Sequence, residues 1–290
     1  MLRLAKKLLL LNRDAVRRHA ERRAGMDHTP TPEAVLEQEA VFVLSTGRCG
    51  TELLTHLFEL VPGTLPVHRP EPELAYASKV AYGLARQGDA DDVIQKMILA
   101  GRFEILLESH IRRRRYIETN NRITFFAPAI AALMPNARFI HLVRDAEAFV
   151  RSGVRREYYS GVPTDLGRIV PTAGRDAADW PTLSAIGRCA WLWSETNLYI
   201  DAFRRSLARP ERFTAVRSSE LYSDPAATAD LVRFCGLQAP SPEAIARLQS
   251  HKANEQLRGP DPGPMTAWSE SDQAQFRRFV ERFGGAGGGG

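Results

Sequence analysis

The run Ser45-Thr-Gly-Arg-Cys-Gly-Thr51 lies between the apolar Val41-Phe-Val-Leu44 and the helically spaced Leu53, Leu54, Leu57 and Phe58. A glycine turn between a buried strand and a helix points backbone N–H groups and the positive end of a helix dipole at one place, which suits a phosphate. Thr46, Gly47, Arg48, Cys49, Gly50, Thr51 and Glu52 are the residues this arrangement offers to an anion. A triphosphate-binding loop needs a lysine after its last glycine. Thr51 stands there instead, which speaks against a P-loop kinase. A second group follows the apolar stretch Ala137–Val143, where Arg144 ends a strand pattern and Ser152 comes eight residues later inside a helix pattern. A guanidinium and a hydroxyl converging at that point can hold one phosphate between them; the alternative is a surface ion pair for Arg144 and solvent for Ser152.

The elements that must position these groups alternate between strand and helix. Strands are expected at Val41–Leu44, Arg115–Glu118, Ala137–Val143 and Phe213–Arg217. Helices are expected over Pro32–Ala40, from the glycine turn to about Leu60, Leu74–Arg112, Phe126–Leu133, Ala146–Tyr158, Leu183–Leu207 and Pro225–Cys235, the last capped by Gly236. Leu65–Glu73 reads as a proline-rich turn and Gly161–Pro181 as a mobile loop. This alternation predicts an α/β fold, a three-layer sandwich whose central parallel sheet is flanked by helices, P-loop NTPase-like, with its site at the carboxyl ends of the strands.

The chain has 290 residues and a net charge of +5, but residues 1–25 hold eight Lys/Arg against two Asp/Glu, so the remainder sums to −1. A near-neutral body disfavours nucleic-acid binding. The basic segment places Leu4, Leu8, Leu11 and Ala15 at helical spacing; it is expected either to pack as a leader helix or to touch an anionic membrane surface peripherally, at the inner face of the membrane. Its longest apolar run is too short to span a bilayer, and no signal-peptide cleavage pattern follows it. Cys49, Cys189 and Cys235 have no metal-ligand or disulfide spacing, so no metal is expected and a reducing, cytoplasmic compartment fits.

Taken together and in order, the two phosphate signatures resemble those of the sulfotransferases that use 3′-phosphoadenosine 5′-phosphosulfate (PAPS). Arg115-Tyr-Ile-Glu-Thr-Asn-Asn121 matches that family's central strand, and Val216-Arg-Ser-Ser-Glu-Leu-Tyr-Ser-Asp-Pro225 resembles its R-x-x-E-L-x-x-D-P segment. The similarity runs from about residue 40 to residue 240 and is closer to the bacterial and Golgi-type branch, which has arginine in the glycine loop. It implies domains at residues 1–32 (basic helix and linker), 33–283 (sulfotransferase domain) and 284–290 (glycine tail).

The resemblance further implies a 5′-phosphosulfate on the glycine loop and a 3′-phosphate on Arg144 and Ser152, with Arg217 beside them. Cys49 stands where serine is common, Glu52 where serine or threonine is common, and Thr119 where a lysine is frequent. No Arg-Lys-Gly motif occurs near the C-terminus, which leaves Lys252 or Arg258 to add charge to the 3′-phosphate. Arg48 is the candidate for stabilising the charge that builds on the leaving phosphate. The acceptor is a hydroxyl of a small molecule, glycan or lipid, and its proton needs a base. The candidates are Glu71, then Glu73, then His68, with Glu118 and Asn120 as orienting groups; in the bland alternative both turn glutamates are solvated and Glu118 pairs with one of Arg112–Arg115. Trp191 or Trp193 can stack on adenine or simply fill the core. A nucleotide kinase and a non-catalytic nucleotide-binding protein are the rival readings, and the oligomeric state is open, a homodimer included.

Overall fold

The computed structural model describes residues 30–88, 91–250 and 259–286. The basic segment 1–25 and Lys252 and Arg258 lie outside the described residues. The elements run in the order α1 (Pro32–Leu36), β1 (Ala40–Leu44), α2 (Thr51–Glu59), β2 (Thr64–Val67), α3 (Ala75–Ala85), α4 (Asp91–Ile111), β3 (Arg115–Glu118), α5 (Ala127–Leu133), β4 (Arg138–Val143) and α6 (Ala146–Val154). They continue with α7 (Gly174–Asp179), α8 (Ala185–Ser206), β5 (Phe213–Arg217), α9 (Ser218–Ser223), α10 (Pro225–Phe234), α11 (Pro242–Ser250) and α12 (Glu270–Ala286).

The five strands form one sheet in the order β2-β3-β1-β4-β5, and every neighbouring pair is parallel. Parallel strands need helical crossovers, and these cover both faces. In β1, Phe42 and Leu44 face a core layer shared with α8, while Val41 and Val43 face a second layer shared with α2, α10 and α11. All five β1 residues are buried, so this central strand is anchored from both sides. Full burial of each large apolar side chain stabilises the fold by about 1.5–3 kcal/mol.

β2 corrects the reading of Leu65–Glu73 as a turn throughout. The Gly63 and Val67 carbonyls accept from the N–H groups of Arg115 and Thr119, at 2.8 and 2.9 Å, which leaves Pro66 turned toward the open edge. An edge strand tolerates a proline there because no ladder bond is lost.

Gly161–Pro181, expected as a loop, is likewise not irregular throughout. It holds a 3-10 turn at Pro163–Gly167 and the helix α7. Asp176 on α7 receives hydrogen bonds from Arg278, Arg282 and the Trp191 indole, and Tyr159, Trp180 and Trp191 stack edge to face in sequence. The expected Leu74–Arg112 helix is two helices, α3 and α4, and α12 continues past Phe283 to Ala286.

Candidate active site

β1 delivers the chain to the glycine loop, and the loop is braced from its neighbours. The Ser45 N–H donates to Thr124 Oγ1 at 3.0 Å, Thr124 donates back to the Ser45 carbonyl, and Ser45 Oγ accepts from the Gly47 N–H. Gly47, Arg48 and Gly50 have φ of 78°, 58° and 99°. At the two glycines this left-handed backbone is unstrained, and a Cβ would come within 3.1 Å of Asn121 or Tyr222. α2 then starts with no side-chain cap, so the N–H groups of its first turn need an outside acceptor. Nε of Arg48 is buried and has no hydrogen-bond partner. An anion resting on this loop satisfies both.

Thr46 and Cys49 take a different part from the one expected. Both hydrogen-bond to the Gly47 carbonyl, at 3.1 and 2.9 Å, and Cys49 is fully buried beneath the loop. The cysteine therefore supports the turn rather than facing a ligand, and burial pushes its thiol pKa up. The Cys49 carbonyl accepts from the Ser218 hydroxyl, which ties the loop to α9.

A cleft of about 1430 Å³ opens at the carboxyl ends of the strands. Arg48, Gly50, Thr51, Glu52, His68, Arg144, Ser152 and Arg217 all line it, so the two phosphate signatures and the segment after β5 share one chamber. Arg144 donates to the Arg48 carbonyl at 2.6 Å, and its own carbonyl accepts from the Trp193 indole at 2.9 Å. Trp193 thus holds the strand-end arginine. Burial pulls the Arg144 pKa below its ordinary value. Ser152 lines the cleft from the last turn of α6. Asp261 lies in the same wall, bonded to Arg151 at 2.8 and 3.1 Å, and tethers the segment ahead of α12 over it.

Among the base candidates only His68 lines this cleft. Glu71 is exposed and Glu73 half-buried, and neither contributes to the wall. His68 Nδ1 lies 3.0 Å from Thr119 Oγ1, which lies 2.7 Å from Thr55 Oγ1, which donates to the Thr51 carbonyl at 3.0 Å. Thr119 Oγ1 also has the Val67 carbonyl as an acceptor at 3.3 Å, and with its proton on Val67 or on Thr55 it accepts from His68. The ring is then assigned as the Nδ1–H tautomer, with its Nε2 lone pair available. Burial, with Arg69 next in weight, lowers the His68 pKa.

Glu118 is not an acceptor-site residue. Both its oxygens receive Arg102 at 2.8 Å, one also receives the Tyr116 hydroxyl, and the side chains of the pair are 0% and 1% exposed. Arg102 also donates to the Pro72 carbonyl, so the pair fixes the turn that follows His68. Glu118→Ala should cost about 3–5 kcal/mol of stability, because it strands a buried charge. Urea unfolding measures this, and a loss below about 1 kcal/mol would show that the pair is not structural. Asn120 caps the following turn and donates to the Glu73 carbonyl.

The profile of the Sulfotransferase family matches residues 40–241. The chain belongs to the sulfotransferase family. It is an enzyme of the sulfotransferase class, and the match covers all five strands of its sheet. Among solved structures, the sulfotransferase domain of the Synechococcus PCC 7002 olefin synthase is similar at 15% identity and a TM-score of 0.48, over 84% of this chain and 87% of that one. A Mycobacterium tuberculosis sulfotransferase is similar at 16% identity and 0.46, over 86% and 79%, and one from Alicyclobacillus acidocaldarius at 15% and 0.47, over 84% and 96%. No curated protein sequence matches significantly.

In this sulfotransferase, two supports escaped the sequence reading. Arg102 stands in the buried stripe Ile94, Ile98, Arg102, Leu106 of α4, and a charge on an otherwise apolar stripe was the available signal. Thr55 and Thr119 carry no such signal, since their contact joins α2 to the end of β3 across 64 residues.

Proposed function

We propose that this enzyme transfers a sulfuryl group from PAPS to a hydroxyl of a small-molecule, glycan or lipid acceptor, with His68 as the base. The observation that carries the reading is the joining of the two phosphate signatures: the Arg144 guanidinium is bonded to the peptide of Arg48, with Ser152 lining the same cleft. The residues fit the donor, since the uncapped start of α2, the two close-packed glycines and the partnerless Nε of Arg48 all call for an anion at the loop. The N–H groups of the loop, Arg48 and Thr51 would hold its 5′ end, and Arg144 and Ser152 its 3′-phosphate. When bound, PAPS supplies a sulfuryl group on a phosphate leaving group.

The chain's own groups then have separate tasks. His68 Nε2 takes the proton of the acceptor hydroxyl as its oxygen bonds to sulfur. Arg48 and the loop N–H groups balance the negative charge that grows on the departing phosphate oxygen, which the same step releases from sulfur. Thr119 and Thr55 keep the imidazole in the accepting tautomer. Among the described residues no helix is long and apolar enough to cross a membrane. We place the enzyme in the cytoplasm, with residues 1–25 available for peripheral contact at the inner face of the membrane.

Thermal shift with 3′-phosphoadenosine 5′-phosphate (PAP), ADP and ATP tests the donor. PAP alone should raise the midpoint, because only it places a phosphate on Arg144 and Ser152. Arg144→Ala should reduce that response by at least about half, since a charge-assisted bond of roughly 1.5–3 kcal/mol is lost. Equal shifts with ADP and PAP would remove the case for a 3′-phosphate site.

A further inference from the structure

Ala148, Arg151, Ser152 and Arg155 recur at helical spacing along α6 and its cap, and all line the cleft, so they share one face of that helix. Ser152 and Arg155 lie at its C-terminal end, where the helix dipole carries about half a negative charge. A hydroxyl at such a place does not hold a phosphate dianion by itself. Cations beside it must offset both the dipole and the second charge of the ligand, and Arg144 brings only one.

The two arginines of this face are in different states. Arg151 is engaged: its Nε and Nη2 donate to the two oxygens of Asp261, at 3.1 and 2.8 Å. Arg155 is not. Its charge partner among the described residues is the same Asp261, at 3.5 Å from Nη1 to Oδ2, which is beyond the reach of a charge-assisted hydrogen bond. Its Nε is buried without a hydrogen-bond partner, as is that of Arg48 in the glycine loop. The Arg155 carbonyl accepts from the Gly259 N–H at 2.8 Å, so the backbone that carries this guanidinium is fixed. Arg155 stands three residues after Ser152, within one turn of it.

Asp261 is a weak holder of Arg155. Its side chain is 34% exposed, and ion pairs this open to water contribute little. Hydrogen bonds from Arg151 and then from the Gly263 N–H hold its pKa at about 2, so it is charged at neutral pH. A phosphate monoester brings close to two charges and three acceptor oxygens to the same guanidinium, against the single charge of the carboxylate. It can take Arg155 from Asp261 without breaking the bidentate pair with Arg151.

We infer that Arg155 supplies the second charge on the 3′-phosphate, beside Arg144 and Ser152, and that Asp261 is a competing counter-ion that lowers affinity for the donor. This rests on the PAPS reading of the cleft. The charge expected from Lys252 or Arg258 thus comes from α6.

Dissociation constants for PAP and ADP, measured by calorimetry on the full chain, test this. ADP lacks the 3′-phosphate and is titrated at the higher concentrations its weaker binding needs, so the ratio of the two constants isolates that group. Arg155→Met should weaken PAP by about tenfold or more and leave ADP within about twofold. Arg155→Lys should recover part of the loss, because an ammonium keeps the charge without the planar fork. Asp261→Asn should tighten PAP by about threefold or more with ADP unchanged. That gain should shrink when Arg155→Met is added, since the two residues act through one contact. A PAP-to-ADP ratio in Arg155→Met within about twofold of wild type overturns the proposal. If that variant does not fold, an unchanged ratio in Asp261→Asn overturns it. A wild type that binds PAP no better than ADP overturns the donor reading and this inference with it, whereas a preference for PAP that survives Arg155→Met removes only this inference.

Discussion

His68→Gln should lower kcat by about 10²–10⁴-fold, the range a positioned base contributes. Glutamine keeps a polar side chain of similar reach but cannot take up a proton, so the PAP thermal shift should be unchanged. The pH profile supplies an independent check. Burial and then Arg69 lower the His68 pKa. The base form is thus favoured: it persists as pH falls below the ordinary histidine range and is lost only when pH passes the depressed value. The acid limb of kcat/KM in the wild type should accordingly lie below pH 6.5, the ordinary histidine value, and should disappear in His68→Gln. A variant whose kcat stays within about threefold of wild type would return the role to Glu71 or Glu73. Thr119→Val tests the tautomer, because it removes the acceptor for Nδ1–H while leaving the ring in place.

The alternation of strands and helices was legible because the parallel strands are buried on both faces and read as apolar runs bounded by polar turns. β2 was hidden by Pro66, a residue that argues against a central strand but is admissible at an edge. The glycine-loop wall of the cleft was legible for a related reason: local backbone chemistry writes itself into short motifs, as in Gly47-Arg-Cys-Gly50, and Arg144 follows directly from the end of β4. The acceptor side was not. Its candidate base, His68, directly follows β2, and its place in the cleft depends on sheet order and side-chain packing. The turn Val67–Glu73 carries both His68 and Glu71, and only the fold shows which of the two faces the cleft. Glu118 fell the other way: its position at a strand end matched a functional residue, yet its partner Arg102 lies 16 residues back on α4 and turns it into a support.

Arg48→Gly separates the loop's chemistry from its stability. Arg48 holds φ 58°, a left-handed conformation that costs a residue with a Cβ roughly 1–2 kcal/mol and glycine very little. Its carbonyl, which accepts from Arg144, belongs to the backbone and survives the substitution. The variant should therefore fold at least as stably as the wild type. Its kcat should nevertheless fall by about 10²–10³-fold, the loss that accompanies removal of one group aimed at developing charge. Greater stability with less activity is the signature of backbone strain retained for function. Arg48→Lys should recover only part of the rate, because an ammonium cannot reproduce the planar fork of a guanidinium. The measurements are a thermal midpoint and steady-state kinetics on one preparation. If kcat holds while the KM for PAPS rises, Arg48 binds the donor equally in ground and transition state, and charge stabilisation must come from the N–H groups of the loop instead.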